Sequence, residues 1–305
     1  MLCIFNPEHD LCLANGSPHF VPPASALLFA RLGSSIMQTL YPGALTLSTE
    51  QITPSFVQQW LQSGDNTIVP WGWNTTLVAQ LLKNGIPRHL MPDDQTLDRY
   101  RSLQHRTTLL PLQPDSIAVQ NPRQIEQLLS TTPHLVLKAP WSGSGRGLRF
   151  ISFALTPLDL QWLKKIIASQ RCVIAEPRRQ VQADFALEYH IHDHALQFIG
   201  YSLFQSEQGV YRAHLLLSDP EIEQIVGYTP AMKSALENWL LSHIAPYYNG
   251  PLGVDHILTT QGTIHISELN LRHTMGLVAH QYLALHPESN GMRLTLRNHT
   301  LALIP

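Results

Sequence analysis

GPLGVDHILTTQGTIHISELNLRHTMG, residues 250–276, alternates apolar with polar side chains on both sides of Thr260, Gln261 and Gly262. Period-two alternation around a short glycine-containing link predicts a hairpin of two strands, residues 253–258 and 263–269. On the second strand Glu268, Asn270 and Arg272 then share a face, and Asp255 stands on the partner strand. Two carboxylates and an amide form an oxygen-rich set suited to Mg²⁺, which takes hard oxygen ligands and keeps part of its shell for water and phosphate. Arg272 adds a fixed cation beside them. The same residues also suit the solvated outer face of an edge hairpin, so the choice depends on what else the chain carries.

More than a hundred residues earlier, HLVLKAPWSGSGRG (134–147) runs an apolar strand into Lys138 and then into a loop. There Gly143, Gly145 and Gly147 alternate with Ser142, Ser144 and Arg146. Small residues at that density let backbone N–H groups wrap phosphate oxygens. The loop is not a P-loop, because the lysine precedes the glycines and no GK[ST] follows. It is not the dinucleotide fingerprint either, because it leads to a second apolar run, residues 148–152, where that fingerprint requires a helix.

Together the two stretches resemble the ATP-grasp superfamily, in which ATP and Mg²⁺ are held between two α+β lobes. The spacing of thirteen residues from Asp255 to Glu268, and two more to Asn270, resembles that of the metal-binding Asp, Glu and Asn in the D-alanine–D-alanine ligases of that superfamily. CVIAEP (172–177) looks like the hinge strand whose glutamate, here Glu176, meets the adenine. Asp184, eight residues further on, stands where the family places a carboxylate on the ribose hydroxyls. Arg178 and Arg179 depart from the apolar residues expected near an adenine.

The resemblance covers roughly residues 95–290. It implies an α+β class, an ATP-grasp two-lobed nucleotide-binding fold preceded by a small parallel α/β N-terminal domain. The expected divisions are an N-terminal domain at 1–94, a lobe with the glycine-rich loop at 95–175 and a C-terminal lobe with the metal hairpin at 176–305. The implied cofactors are ATP and Mg²⁺, with Asp255, Glu268 and Asn270 on the metal. Lys138, Arg272 and Arg212 are the implied catalytic cations at the phosphates. Arg99, Lys138, Ser142, Gly143, Ser144, Gly145, Arg146, Gly147, Glu176 and Asp184 are the implied nucleotide contacts. Arg99 follows Asp98 where many family members have Asp-Lys, and its planar fork alters the phosphate geometry. Arg101, His105 and Arg106 are neighbouring alternatives.

Residues 1–94 alternate short apolar runs at 2–5, 45–47 and 67–71 with helical ones at 23–32, 55–62 and 74–83, the pattern of a small parallel layer. Loops after the carboxyl ends of parallel strands bind ligands, and the first such loop holds Asn6, Glu8, His9 and Asp10. Turn formation and helix capping account for these residues as well. A substrate role for Asn6, Glu8 and His9 is the alternative. His273, Thr274 and Gly276 are further substrate candidates, since they follow the metal asparagine where carboxylate-activating relatives face their acceptor. Trp71 and Trp73 are expected to pack. Glu188, His190, His192 and His194 recur at period two, compatible with a transition-metal site or with a solvated strand face.

With 305 residues, 44% hydrophobic and 14% charged, the chain can bury a sizeable core in two or three lobes. A net charge of −2 leaves no electrostatic footprint for nucleic acid, and no apolar stretch reaches membrane-spanning length. Cys3, Cys12 and Cys172 lie in apolar segments without CxxC spacing, as in a reduced cytoplasmic protein. The start, MLCIFNPEHD, lacks the basic and long apolar regions of a signal peptide. The expectation is a cytoplasmic ligase, compatible with a homo-oligomer, that activates a small-molecule carboxylate as acylphosphate for attack by an amine or similar nucleophile. A small-molecule kinase and a non-catalytic nucleotide-binding regulatory protein remain as alternatives.

Overall fold

The protein, represented by a computed structural model, is described over residues 1–143, 147–207 and 209–305. Three of the expected nucleotide contacts, Ser144, Gly145 and Arg146, lie outside the described residues.

The first sheet is parallel, with β1 (Leu2–Ile4) between β2 (Leu45–Leu47) and β3 (Ile68–Pro70). Its central strand is buried along its length, which is why LCI reads as an unbroken apolar run. Helices Pro54–Leu61 and Thr75–Lys83 cover it, capped by Thr53 and by Asn74, whose side chain accepts from the Leu77 amide at 2.9 Å. The loop expected after the first strand is short, because the helix His9–Asn15 starts within it.

The second sheet is antiparallel, ordered β4-β7-β5-β6, from β4 (Ile117–Val119), β5 (His134–Lys138), β6 (Leu148–Ser152) and β7 (Val173–Pro177). Helices Pro122–Thr131 and Pro157–Gln170 pack on it through Ile125, Leu129 and Leu163, against Leu135, Leu137 and Val173. Each helix begins with proline behind a reciprocal cap, Asn121 with Gln124 and Thr156 with Asp159.

The third sheet has seven antiparallel strands: β8 (Val181–His192), β9 (Ala195–Glu207), β10 (Val210–Leu215), β11 (Gly250–Thr259), β12 (Ile264–Asn270), β13 (Arg293–Arg297) and β14 (Thr300–Ile304). The order is β12-β11-β8-β9-β10-β13-β14, so the opening hairpin forms one edge and the C-terminal hairpin the other. Strand alternation sorts β8 cleanly. Phe185, Leu187 and Tyr189 enter a core closed by helices Asp219–Val226 and Pro230–His243, while Asp184, Ala186 and Glu188 line a cleft on the opposite face. Helix Met275–Leu285 then shares a core with the parallel layer, where Val278 and Ala279 meet Cys3, Phe5 and Met37. No helix among the described residues is long and apolar enough to cross a membrane.

Candidate functional site

The hairpin pairs Asp255 directly with Glu268, and a bulge follows between Asp255 and His256. Asn270 Nδ2 donates to Asp255 Oδ2 at 3.1 Å, which leaves the amide oxygen of Asn270 for another partner. Burial, then the charges of Glu268 and Glu188, push the Asp255 carboxyl well above the usual carboxylate range. Such crowding of acids is relieved by a cation.

Across the cleft, Lys138 ends β5. Its Nζ lies 2.7 Å from Glu176 Oε1 on β7, both side chains 8% exposed, and donates to Ser267 Oγ on β12 at 3.3 Å. A lysine of the small sheet thereby touches the large one. Asp184 on β8 accepts from Ser206, and burial raises its carboxyl while the Lys138 charge pulls the other way. Lys138, Ser142, Gly143 and Asp184 share one cleft of about 290 Å³ with Asp255, Glu268, Asn270, Arg272, Thr274 and Gly276. Glu176 stands behind Lys138, and the Gly147 carbonyl accepts from the Ala139 amide at 2.8 Å, closing the base of the glycine-rich loop.

Arg272 follows the end of β12 and makes two bonds to Asp10, Nε to Oδ1 at 3.1 Å and Nη2 to Oδ2 at 3.0 Å. Burial works against the guanidinium charge, and Asp10 more than restores it. Burial likewise opposes the Asp10 charge, and Arg272 outweighs it so that the carboxyl stays below its usual range. The bidentate pair fixes the first helix to the β11–β12 hairpin. Gly143 sits so close to Asp10 that a Cβ there would overlap the carboxylate.

Arg106, named only as an alternative from the sequence, reaches the site that Arg99 does not. Its Nη2 pairs with Glu268 Oε1 at 2.7 Å and its Nη1 donates to Ser142 Oγ at 2.7 Å, tying the loop base to the β11–β12 hairpin. Arg99 is exposed on helix Asp94–Leu103, with its guanidinium 4.7 Å from the centre of the Tyr247 ring, and does not border the cleft. Arg212 is a second correction. At the β10 bulge it turns outward to Glu207 at 2.6 Å, with 57% of its side chain exposed, while its neighbours Tyr211 and His214 face the cleft.

Three substrate candidates are spent on structure. Asn6 donates to the Gly72 carbonyl at 2.9 Å, clamping the loops after β1 and β3. His9 is fully buried between Asn74 at 3.1 Å and Gln104 at 3.3 Å. His273 bridges Tyr41 Oη at 2.8 Å and the Pro70 carbonyl at 3.1 Å. Burial lowers both imidazoles to about 4, so they stay neutral near pH 7 and do not border the cleft. Thr274 instead caps helix Met275–Leu285 and donates to Glu188 Oε2 at 2.8 Å. Glu188 also accepts from Ser202 at 3.0 Å and is 1% exposed, so it is no part of a solvated histidine row. His192 and His194 are exposed, and among the described residues no three His, Cys, Asp or Glu side chains gather as a metal cage. The two hinge arginines also turn aside, Arg178 over the Phe150 ring and Arg179 onto Asp115 at 2.9 Å.

The sequence named Asp10, Arg106 and Glu188 only in a turn or capping loop, as an alternative to Arg99 and in a histidine row, and did not assign them the places in the site that the structure gives them. Each depends on a partner from another part of the chain, and the acid-rich EHD and basic 99–106 segments were the only local signals.

Two antiparallel sheets enclosing one such cleft define a class of two-lobed α+β proteins, and solved structures identify the fold. Crystallised N5-carboxyaminoimidazole synthetase from Staphylococcus aureus, complexed with ADP, is similar at a TM-score of 0.53 and 13% identity, covering 99% of this chain and 79% of that one. A biotin carboxylase β-γ-ATP complex from Campylobacter jejuni gives 0.54 at 10% identity, over 92% and 67% of the two chains. The biotin carboxylase domain of Hydrogenobacter thermophilus 2-oxoglutarate carboxylase, with MgADP, ADP and bicarbonate, gives 0.52 at 11%, over 93% and 69%. No family model matches the sequence, and no curated protein matches it. The chain has the ATP-grasp fold, α+β with a small parallel sheet at its start.

Proposed function

We propose that this protein binds Mg·ATP in the cleft and is a ligase that joins a small-molecule carboxylate to an amine or similar nucleophile through an acylphosphate. One observation carries the reading: Lys138 from the small sheet borders the same cleft as Asp255, Glu268, Asn270 and Arg272 from the edge of the large one.

The donor set fits Mg²⁺. Burial and the neighbouring acids raise the Asp255 carboxyl, a cation placed among them would favour its ionised form, and among the described residues no hydrogen bond takes up the Asn270 amide oxygen. Glu268 has one oxygen outside its Arg106 pair. Asp255, Glu268 and Asn270 would hold the ion, which when bound would neutralise phosphate charge. Lys138 would exchange part of its pairing with Glu176 for phosphate oxygens, and Arg272, oriented by Asp10, would present a cation to the developing anion. Backbone N–H groups around Ser142 and Gly143 would close over the triphosphate. A carboxylate oxygen then attacks the γ-phosphorus and ADP leaves. The nucleophile, entering as the free amine, attacks the acyl carbon, phosphate leaves, and the proton lost from nitrogen passes to the departing phosphate or to water. The residues act by alignment and charge neutralisation. His9 and His273 are locked neutral in hydrogen bonds and take no proton in this scheme.

The test is phosphate release from Mg·ATP against paired panels of carboxylic acids and amines, with calorimetry of Mg·ATP alone. The expected result is saturable Mg·ATP binding, with release that requires both an acid and a nucleophile and is lost in Glu268→Ala. Absence of binding heat, or release unchanged in Glu268→Ala, would refute the assignment.

A further inference from the structure

A second cavity, of about 570 Å³, adjoins the cleft and shares Pro7, Asp10, Phe29, Gly143 and Leu296 with it. Its remaining walls include Glu8 and the turn at Asn298 and His299. Among the described residues that line it, the carboxylates are Glu8 and Asp10, and there is no lysine or arginine. Asp10 is already matched by Arg272. Glu8 is not matched by another residue: it is 5% exposed, among the described residues no ion pair and no hydrogen bond beyond one with its own backbone reaches its carboxylate, and its Oε2 is buried without a partner.

A buried carboxylate left alone is costly, and native structures give such a group a partner or a task. Burial, with the Glu50 charge adding to it, lifts the Glu8 carboxyl to about 7. Glu8 borders the space that opens beside Gly143, where the glycine-rich loop begins, and lies on the same first turn of chain as Asp10. A cationic group entering from the cleft would meet this acid without having to displace an existing partner. A carboxylate in the same place would meet a like charge.

Resting on the ligase reading above, we propose that this cavity is the acceptor subsite, where Glu8 holds the ammonium group of the nucleophilic substrate and then takes one of its protons, so that the free amine attacks the acyl carbon. The nucleophile is accordingly a primary amine and not a thiol or an alcohol. Glu8 anchors it next to the cleft in which the carboxylate would be activated.

The probe is n-butylammonium, compared with butyrate and 1-butanol, with binding followed by ligand-detected NMR on the full chain. Mg·ADP affinity is measured separately by calorimetry. The expected result is saturable binding of butylammonium, none of butyrate or butanol, and at least a tenfold loss in Glu8→Gln, which keeps the shape and removes the charge. Glu8→Asp, which keeps the charge one methylene back, should retain binding to within about tenfold and serves if Glu8→Gln does not fold. Butylammonium that fails to bind, that binds Glu8→Gln as well as the parent, or that is matched by butanol overturns the proposal. Mg·ADP heat without amine binding would sink the subsite alone. Amine binding without Mg·ADP heat would sink the ligase reading and leave a cation site.

Discussion

Glu188 gives a quantitative test of the cleft's electrostatics. It lies on β8 under the cleft, with Gly253 and Gly276 packed so closely that a Cβ on Gly276 would overlap Glu188 and Ser202. Burial pushes its carboxyl up to about 7 despite the hydroxyl bonds from Thr274 and Ser202. Well below pH 4.5 the group is protonated in both the folded and the unfolded chain. Between about 4.5 and 7 the folded chain keeps a proton that the unfolded chain has lost, so stability falls as pH rises through this window. At about 1.4 kcal/mol for each tenfold change in proton affinity, the cost above pH 7 is on the order of 3 kcal/mol. Glu188→Gln removes the titration and keeps the volume. Thr274 Oγ1 already accepts from the Leu277 amide at 3.0 Å, so its proton goes to the new amide oxygen, and the Ser202 hydroxyl can turn to accept from the amide nitrogen. Any fixed cost of that rearrangement cancels when the same pair of proteins is compared at several pH values. Urea unfolding without Mg²⁺ at pH 4.5, 6 and 8 should show the variant gaining on the parent by about 3 kcal/mol across the series. Because the Glu188 charge also raises Asp255, the gain can exceed that figure and should not fall far below it. Parallel stability profiles, within about 0.5 kcal/mol, would mean that Glu188 is solvated and the cleft floor is wrongly described.

Lys138→Met leaves Glu176 buried without its cation, and should cost about 3–5 kcal/mol in urea unfolding and weaken Mg·ATP at least tenfold by calorimetry. Arg99→Ala and Arg212→Ala alter exposed side chains outside the cleft, so stability should stay within about 0.5 kcal/mol and Mg·ATP affinity within about twofold. Burial holds His256 at about 4, and a lowered histidine contributes stability above its unfolded value near 6.5 and loses it as pH falls toward 4. His256→Gln, which does not titrate, should therefore gain about 2 kcal/mol on the parent in urea unfolding between pH 6.5 and 4.5, and parallel profiles would contradict it.

What could be read from the chain is what depends on neighbours in sequence. The two strands of the hairpin follow from alternation about a fixed turn, but the pairing of Asp255 with Glu268 depends on the bulge next to His256, since the register set at the turn would place Ser267 opposite Asp255. Lys138 was legible because a buried strand ends in it, and the parallel layer because apolar runs alternate with capped helices. Charge direction was not legible. Arg99 and Arg106 lie in one basic segment, yet the first stacks on a surface tyrosine and the second is folded under the glycine-rich loop, where the 3-10 helix Arg106–Leu112 turns the chain. Arg212 and His214 are two apart on one strand, but a bulge beside Tyr211 breaks the alternation that would have put them on one face. His9 and His273 have the side chain most often used for proton transfer, and burial with fixed partners takes that use away.

Arg272 and Asp10 are separated by 262 residues, and no local pattern announces their pairing. That pair also bears on why the parallel layer is needed at all. An arginine at the mouth of the cleft could turn toward the acids of the hairpin, Asp255 and Glu268, and fill the place proposed for a metal ion. Asp10 holds it to the side with two bonds, and the helix carrying Asp10 is held in turn by His9, which is bonded to Asn74 and Gln104, while Cys3 and Phe5 of the same layer share a core with Val278 and Ala279. The N-terminal layer therefore keeps the oxygen cluster open as well as walling the cleft. On this argument the proposed metal site depends on a residue more than two hundred positions away from its ligands.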